Sequence, residues 1–254
     1  MDLGDVLLLL VAGVAAGGVN AMAGGGSLIS FPALLAAGLP PVAANVTNSV
    51  SVCPGYLASV YGSRADLTGQ TRRAYQLMAT TVVGTATGAT ILLLTPARAF
   101  ELVVPFLVLG ATAGLAFQER LRRVVGHPQD LPPGRQRLYL HLLAGLGSVY
   151  GGYFGAALGV VLVAVLAVVL HEPMARITAL KNTLSVTVGL VTAVVFGVFG
   201  PVRWWAVLVL APATLVGGYL GALGTRRIPS QTLRWIIVAY GVGIGVLLLV
   251  RAFT

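Results

Sequence analysis

Acidic residues and cysteine are nearly absent from this 254-residue chain. The seven acids, Asp2, Asp5, Asp66, Glu101, Glu119, Asp130 and Glu172, fall at the N-terminus or in short polar breaks between apolar runs. No carboxylate pair therefore stands inside an apolar segment for acid–base work, and none is there to cage a hard cation. The single cysteine, Cys53, excludes an internal disulfide and any cysteine-built zinc or iron–sulfur centre within one chain. It is expected as a small apolar packing residue. Charge of either sign is scarce, at 9% of residues beside 57% hydrophobic, where a soluble domain carries roughly 25% charged residues. So little charge cannot solvate a globular surface. No metal or other cofactor is expected, since the three histidines, His127, His141 and His171, are scattered in or beside the breaks.

The net charge of +9 comes from sixteen basic residues spread among those breaks. A nucleic-acid binder would instead gather them in a patch or stripe, so no nucleic-acid partner is expected and the lipid bilayer is. A bilayer core of about 30 Å takes about 20 apolar residues per helix. Long runs lie at 42–61, 75–95, 99–118, 175–199, 204–223 and 232–251, while 3–38 and 138–170 are apolar but interrupted by glycine. Each interrupted region reads as two short crossings or one re-entrant hairpin, giving about 8–10 membrane segments in an all-α polytopic membrane protein. The start, Met1-Asp2-Leu3-Gly4-Asp5, has no basic residue before its apolar run, so no cleaved signal peptide is expected.

Short loops rich in arginine and lysine stay on the cytoplasmic side. Arg64, Arg72 and Arg73 share one break, Arg120, Arg122, Arg123, Arg135 and Arg137 the next large one, and Arg226, Arg227 and Arg234 the last: eleven of the sixteen. The alternate loops carry little, so both termini are expected outside. The loop 119–137, with Pro128, Pro132 and Pro133, reads as a basic cytoplasmic linker between a first transmembrane repeat, 1–118, and a second, 138–254.

The two halves repeat a pattern. Thr47-Asn48-Ser49-Val50-Ser51 through Gly55 matches Lys181-Asn182-Thr183-Leu184-Ser185 through Gly189. In both, Asn, Ser and Gly fall at i, i+3 and i+7, on one helix face. Upstream of each lies a glycine-rich break, Gly24-Gly25-Gly26-Ser27 or Gly151-Gly152 with Gly155 and Gly159, and then a proline corner at Pro40-Pro41 or Pro173. The break following the first polar helix is basic, and that following the second is nearly uncharged, which implies repeats of inverted topology. In secondary transporters such repeats place discontinuous helices, with free amides and helix ends, around a substrate site at mid-membrane. Tight helix packing is the alternative use of such glycines.

Lys181 is the only lysine and the one charge that fits neither a loop nor a helix end. Counted from a helix start near Pro173 or Met174, its α-carbon lies ~10 Å along the axis. A charge at that depth faces a cavity or a partner, or else snorkels back to the interface. With no acid to neutralise it, its natural counterion is a small anionic substrate. Asn48, Asn182, Ser51, Ser185, Thr47 and Thr183 supply hydrogen-bond donors, and amides at Gly24, Gly25, Gly26 and Ser27, with the second break at Gly151 and Gly152, supply a helix-end cradle. Two other classes compete. Gly25-Gly26-Ser27 loosely suggests a serine nucleophile, which needs a histidine base for which only His141 is a candidate. A non-transporting scaffold or partner subunit explains the apolar runs but not the repeated polar faces. The residues leave a homodimer open.

The segment Asn20-Ala21-Met22-Ala23-Gly24-Gly25-Gly26-Ser27-Leu28-Ile29-Ser30-Phe31-Pro32, followed by Gly38-Leu39-Pro40-Pro41 and Ala44-Asn45-Val46-Thr47-Asn48, resembles the first signature of the TauE/SafE sulfite exporter family. Tyr150-Gly151-Gly152-Tyr153-Phe154-Gly155, Ala179-Leu180-Lys181-Asn182 and Gly217-Gly218-Tyr219-Leu220-Gly221-Ala222 extend the resemblance over nearly the whole chain. It implies a multi-pass secondary transporter, not an enzyme, in the bacterial cytoplasmic membrane. Its cargo would be sulfite, sulfoacetate or other organosulfonates, commonly moved outward. It also adds Asn20, at the head of the first signature, to the candidate substrate-binding residues.

Overall fold

Proline and glycine punctuate the chain into helices, and the computed structural model describes residues 2–22, 24–117, 120, 132–224 and 230–253. The first half holds α1 (Leu3–Met22), α2 (Ser27–Ala36), α3 (Pro41–Ser63), α4 (Thr71–Leu94) and α5 (Ala97–Ala116). The second holds α6 (Pro133–Tyr153), α7 (Leu158–Val169), α8 (Met174–Phe199), α9 (Trp204–Gly224) and α10 (Ser230–Phe253). Both halves read long, short, long, long, long, and no strand occurs among the described residues. The chain is thus an all-helical, polytopic membrane protein. Most of the linker 119–137, with Arg122, Arg123, Pro128 and Asp130, lies outside the described residues, as do Arg226 and Arg227. Pro132 caps α6, which starts at Pro133, inside the expected linker.

Among the described residues five helices are long and apolar enough to cross a membrane: Leu3–Met22, Thr71–Leu94, Ala97–Ala116, Met174–Phe199 and Trp204–Gly221. Four of these are expected runs. The fifth, α1, belongs to a glycine-interrupted region, because the break falls after a full 20-residue helix instead of dividing the region evenly. Each interrupted region is therefore one long and one short helix. The run 42–61 became α3, whose Asn45, Thr47, Asn48, Ser49 and Ser51 lower its apolarity and are all buried in the protein interior.

Pro40 and Pro173 start the two polar helices, since proline's fixed φ suits an N-terminus and its missing amide is not needed there. Glycine sets the packing. A Cβ at Gly17 would strike Thr214 and Gly218, and one at Gly221 would strike Gly18, so α1 and α9 touch backbone to backbone and run parallel. Gly84 against Gly145 and Ser148, and Gly88 against Val149 and Tyr153, do the same for α4 and α6. Small residues four apart permit this close approach, which in lipid must replace the hydrophobic drive. At the centre α3 and α8 run antiparallel, with Asn182 beside Ser59 and Ser63, Gly189 beside Cys53 and Tyr56, and Gly200 beside Val46.

The breaks between α1 and α2, and between α6 and α7, are held by specific contacts. Gly24 has φ +80°, and in the second break Gly155 has φ +71° and Ala157 φ +54°. Tyr150 Oη donates to the Ala156 carbonyl at 2.5 Å, and Phe154 packs edge-on against Phe31 with centroids 5.4 Å apart. Ala157 is the sole described non-glycine residue with positive φ. A Cβ there costs roughly 1 kcal/mol. Ala157→Gly is accordingly expected to raise Tm by about 2–4 °C, read by differential scanning fluorimetry in detergent.

Candidate functional site

The two glycine breaks meet in the protein interior. Gly159 N, at the start of α7, donates to the Gly24 carbonyl at 3.2 Å, and neither position has room for a Cβ. Beside this junction lies a cavity of about 10 Å³, lined by Ser27, Asn48, Tyr56, Gly151, Gly189 and Thr192 among others. A space of that size holds at most one water. Both breaks and both polar helices contribute to it, so residues far apart in the chain share one small internal chamber.

Not every expected donor reaches it. Ser27, Asn48 and Gly151 line the cavity, and Asn48 Oδ1 accepts from Ser30 Oγ at 2.5 Å. Asn182 lies elsewhere along the α3–α8 crossing, where its Nδ2 donates to Ser63 Oγ at 3.0 Å and to the Ser59 carbonyl at 3.3 Å. Thr47 Oγ1 accepts from Arg203 N at 3.0 Å, and Ser51 Oγ donates to the Thr47 carbonyl at 2.7 Å. Thr183 is half-buried and bonds back to Ala179. Among the break amides, Gly24 N donates to the Val19 carbonyl at 3.0 Å and Gly26 N to Asn20 Oδ1 at 2.8 Å, so these two are engaged within the fold. Gly25 packs on Leu115, and Gly152 presses onto Thr85 at the α4–α6 crossing.

Lys181 is 2% exposed, and its Nζ donates to the Asn20 carbonyl at 3.3 Å. That carbonyl belongs to the last turn of α1, where the negative end of the helix dipole favours a cation. Among the described residues no carboxylate pairs with it; Glu172, on the segment leading into α8, is taken by Arg73 at 3.1 Å and Arg176 at 2.8 Å. Asn20 thus ties three things together: its amide oxygen holds Gly26, its carbonyl holds Lys181, and its buried Nδ2 has no partner among the described residues. Ser185, one turn beyond Lys181 on the same face, also has a buried hydroxyl without a partner among the described residues. Continuing that face by helical register reaches Gly189 and Thr192, at the cavity. A polar stripe therefore leads from the lysine to the chamber.

Asn45 plays the matching part in the other half, its Nδ2 donating at 2.9 Å to the Tyr153 carbonyl that ends α6. Asn45 is legible in the sequence, since it lies three residues before Asn48 on the same face. Tyr56, eight residues after Asn48, was equally legible as an extension of that stripe. The partners Ser30, Ser59 and Ser63 were not, because nothing local announces which helix a hydroxyl will meet. The two residues of the serine-hydrolase alternative are apart: Ser27 lines the cavity, whereas His141 Nδ1 sits 2.6 Å from Thr80 Oγ1 on the α4–α6 face. Among the described residues no group of His, Cys, Asp or Glu side chains could hold a metal ion.

The family profile described as "Sulfite exporter TauE/SafE" matches residues 9–248. The chain is 30% identical over 234 residues to the "Probable membrane transporter protein YfcA" of Escherichia coli (strain K12), covering 88% of this chain and 81% of that protein. A "Probable membrane transporter protein" of Haemophilus influenzae is 28% identical over 230 residues, covering 87% and 86%. The "Probable membrane transporter protein ORF9" of a Sinorhizobium species is 23% identical over 248 residues, covering 95% and 91%. No solved structure matches the chain.

Proposed function

The chain belongs to the sulfite exporter TauE/SafE family and is a multi-pass membrane transporter; from that premise we propose that it exports small sulfur-containing oxyanions across the bacterial cytoplasmic membrane by alternating access. The observation that carries the reading is Lys181, a buried cation inside a membrane helix that no described carboxylate neutralises. Such a charge costs several kcal/mol in lipid, and an anionic guest recovers part of that. Asn20 Nδ2 and the Ser185 hydroxyl, unpaired among the described residues, supply further donors on the same side. An oxyanion enters at the lysine, follows the stripe through Ser185, and passes between the two breaks. The sulfur chemistry of the cargo rests on the family alone.

The helix directions support inverted repeats. Parallel pairing of α1 with α9 and of α4 with α6, and antiparallel pairing of α3 with α8, make each of these helices run opposite to its counterpart in the other half. With the arginine-rich breaks cytoplasmic, both termini lie outside. A chamber too small for its cargo is the closed intermediate that such a machine passes through as one half rocks against the other. A membrane potential of 100 mV, negative inside, favours expulsion of a monoanion by about 2.3 kcal/mol, so export needs no coupling ion.

The test is flux from proteoliposomes loaded with sulfite, an alkylsulfonate, sulfate or acetate under valinomycin-clamped potentials. Sulfite and the sulfonate are expected to leave fastest, with efflux rising as the loaded face becomes negative. Voltage-independent flux would remove the uniport reading, and equal acetate flux would remove the sulfur-anion reading.

A further inference from the structure

A second polar site lies away from the central chamber, on the outer face where α4 and α6 run side by side. A pocket of about 420 Å³ opens there at the arginine-rich end of the two helices, lined by Arg72, Arg73, Gln76, Gln136, Arg137 and His141 among others. Arg73 is paired with Glu172. Arg72 and Arg137 are exposed, and among the described residues neither has a carboxylate partner. The pocket thus presents two guanidiniums that no described carboxylate compensates, and their planar forks suit phosphate oxygens.

A second depression of about 590 Å³ follows it along the same helix pair, lined chiefly by apolar and small residues such as Val83, Gly84, Leu142, Gly145 and Leu146. His141 lines both, and Thr80, hydrogen-bonded to it, lines the second, so the basic pocket and the groove adjoin at His141. From Arg137 to Val149, at the far end of the groove, is twelve residues of α6, or ~18 Å. Gly84 and Gly145 keep the floor of the groove low.

We propose that this composite site binds one anionic phospholipid, its phosphate between Arg72 and Arg137 and an acyl chain along the α4–α6 groove. The charge complementarity names the headgroup class, and the groove attached to it names a lipid over a free oxyanion, which needs no apolar extension. The site shares no lining residue with the central chamber and does not depend on what the protein transports.

The experiment is lipid titration of the delipidated full chain in a neutral detergent, read by native mass spectrometry and by Tm. Phosphatidylglycerol is compared with phosphatidylcholine and with inorganic phosphate. Wild type is expected to retain phosphatidylglycerol selectively, with the Arg72→Gln/Arg137→Gln pair losing on the order of tenfold in apparent affinity. Thr87→Trp, which fills the groove without touching either arginine, is expected to weaken phosphatidylglycerol and leave the arginines' charge in place. Unchanged phosphatidylglycerol retention in the double variant overturns the proposal. So does stabilisation by inorganic phosphate equal to that by the lipid and indifferent to Thr87→Trp, since the pocket is then an entry vestibule for soluble anions. A folded variant, confirmed by an unaltered gel-filtration profile, is required of both; if Thr87→Trp fails this check, Thr87→Leu replaces it.

Discussion

Lys181→Met is expected to abolish sulfite flux, by at least about a hundredfold, while the protein without anion becomes no less stable than wild type. The argument is electrostatic. Among the described residues the buried Nζ has one hydrogen bond, to the Asn20 carbonyl, and no carboxylate partner. Replacing a buried charge by an apolar chain of similar length removes its desolvation cost, which often leaves a protein as stable or more so. On the proposed reading the same change also removes the cation that meets the guest. Wild-type Tm should therefore rise with sulfite concentration as a binding equilibrium requires, and the variant's should not. A rival role is purely structural, with the ammonium serving only to cap the last carbonyls of α1 as Asn45 caps Tyr153 in the other half. On that account Lys181→Met lowers Tm in the absence of anion, and flux falls only with the amount of folded protein. Full flux in the folded variant would falsify the assignment of Lys181 to the transport path.

That contrast also shows where the sequence was readable. A lone lysine eight residues after Pro173, which caps α8, can be located in depth from the sequence alone, because proline fixes the start and the rise per residue is constant. Its partner could not. Asn20 is 161 positions away, and the bond goes to a backbone carbonyl, which every residue possesses. The two Asn-Ser-Gly stripes were legible as repeated faces, yet Asn48 and Asn182 serve different parts of the α3–α8 crossing. A helix-face argument fixes direction around the axis and leaves the neighbour at each level open. Antiparallel crossing then carries equivalent residues to opposite sides of the centre. The first break is legible at Gly24 to Ser27, where α1 gives way to α2, but which other glycines of these regions only pack against a neighbour was not legible, for a related reason. Gly13, Gly17 and Gly18 look like break residues but are packing surfaces against α9, while the turn falls after them, near Gly24. Glycine as a hinge and glycine as a flat contact look alike until the opposing helix is known.

Gly24 and Gly159 provide the second large effect, because one contact there joins the two halves. A Cβ at Gly24 would lie 2.5 Å from Gly159 Cα, and one at Gly159 would strike Gly24 Cα, so alanine at either position forces the breaks apart. The overlap is with backbone and cannot be relieved by a rotamer change. Overpacking of that kind costs about 1–3 kcal/mol or more. At Gly24 the φ of +80° adds about 1 kcal/mol for any residue with a Cβ. Gly24→Ala is therefore expected to be the more damaging of the two, lowering Tm by several degrees and transport by more than tenfold. Gly159→Ala carries the overlap without the dihedral cost. The double variant tests the shared contact: once one Cβ has opened the junction, the second meets less resistance, so the combined loss of stability should fall short of the sum. Strict additivity would mean that the two breaks do not press on one another, and the chamber would then have to be closed by something other than the Gly24–Gly159 junction.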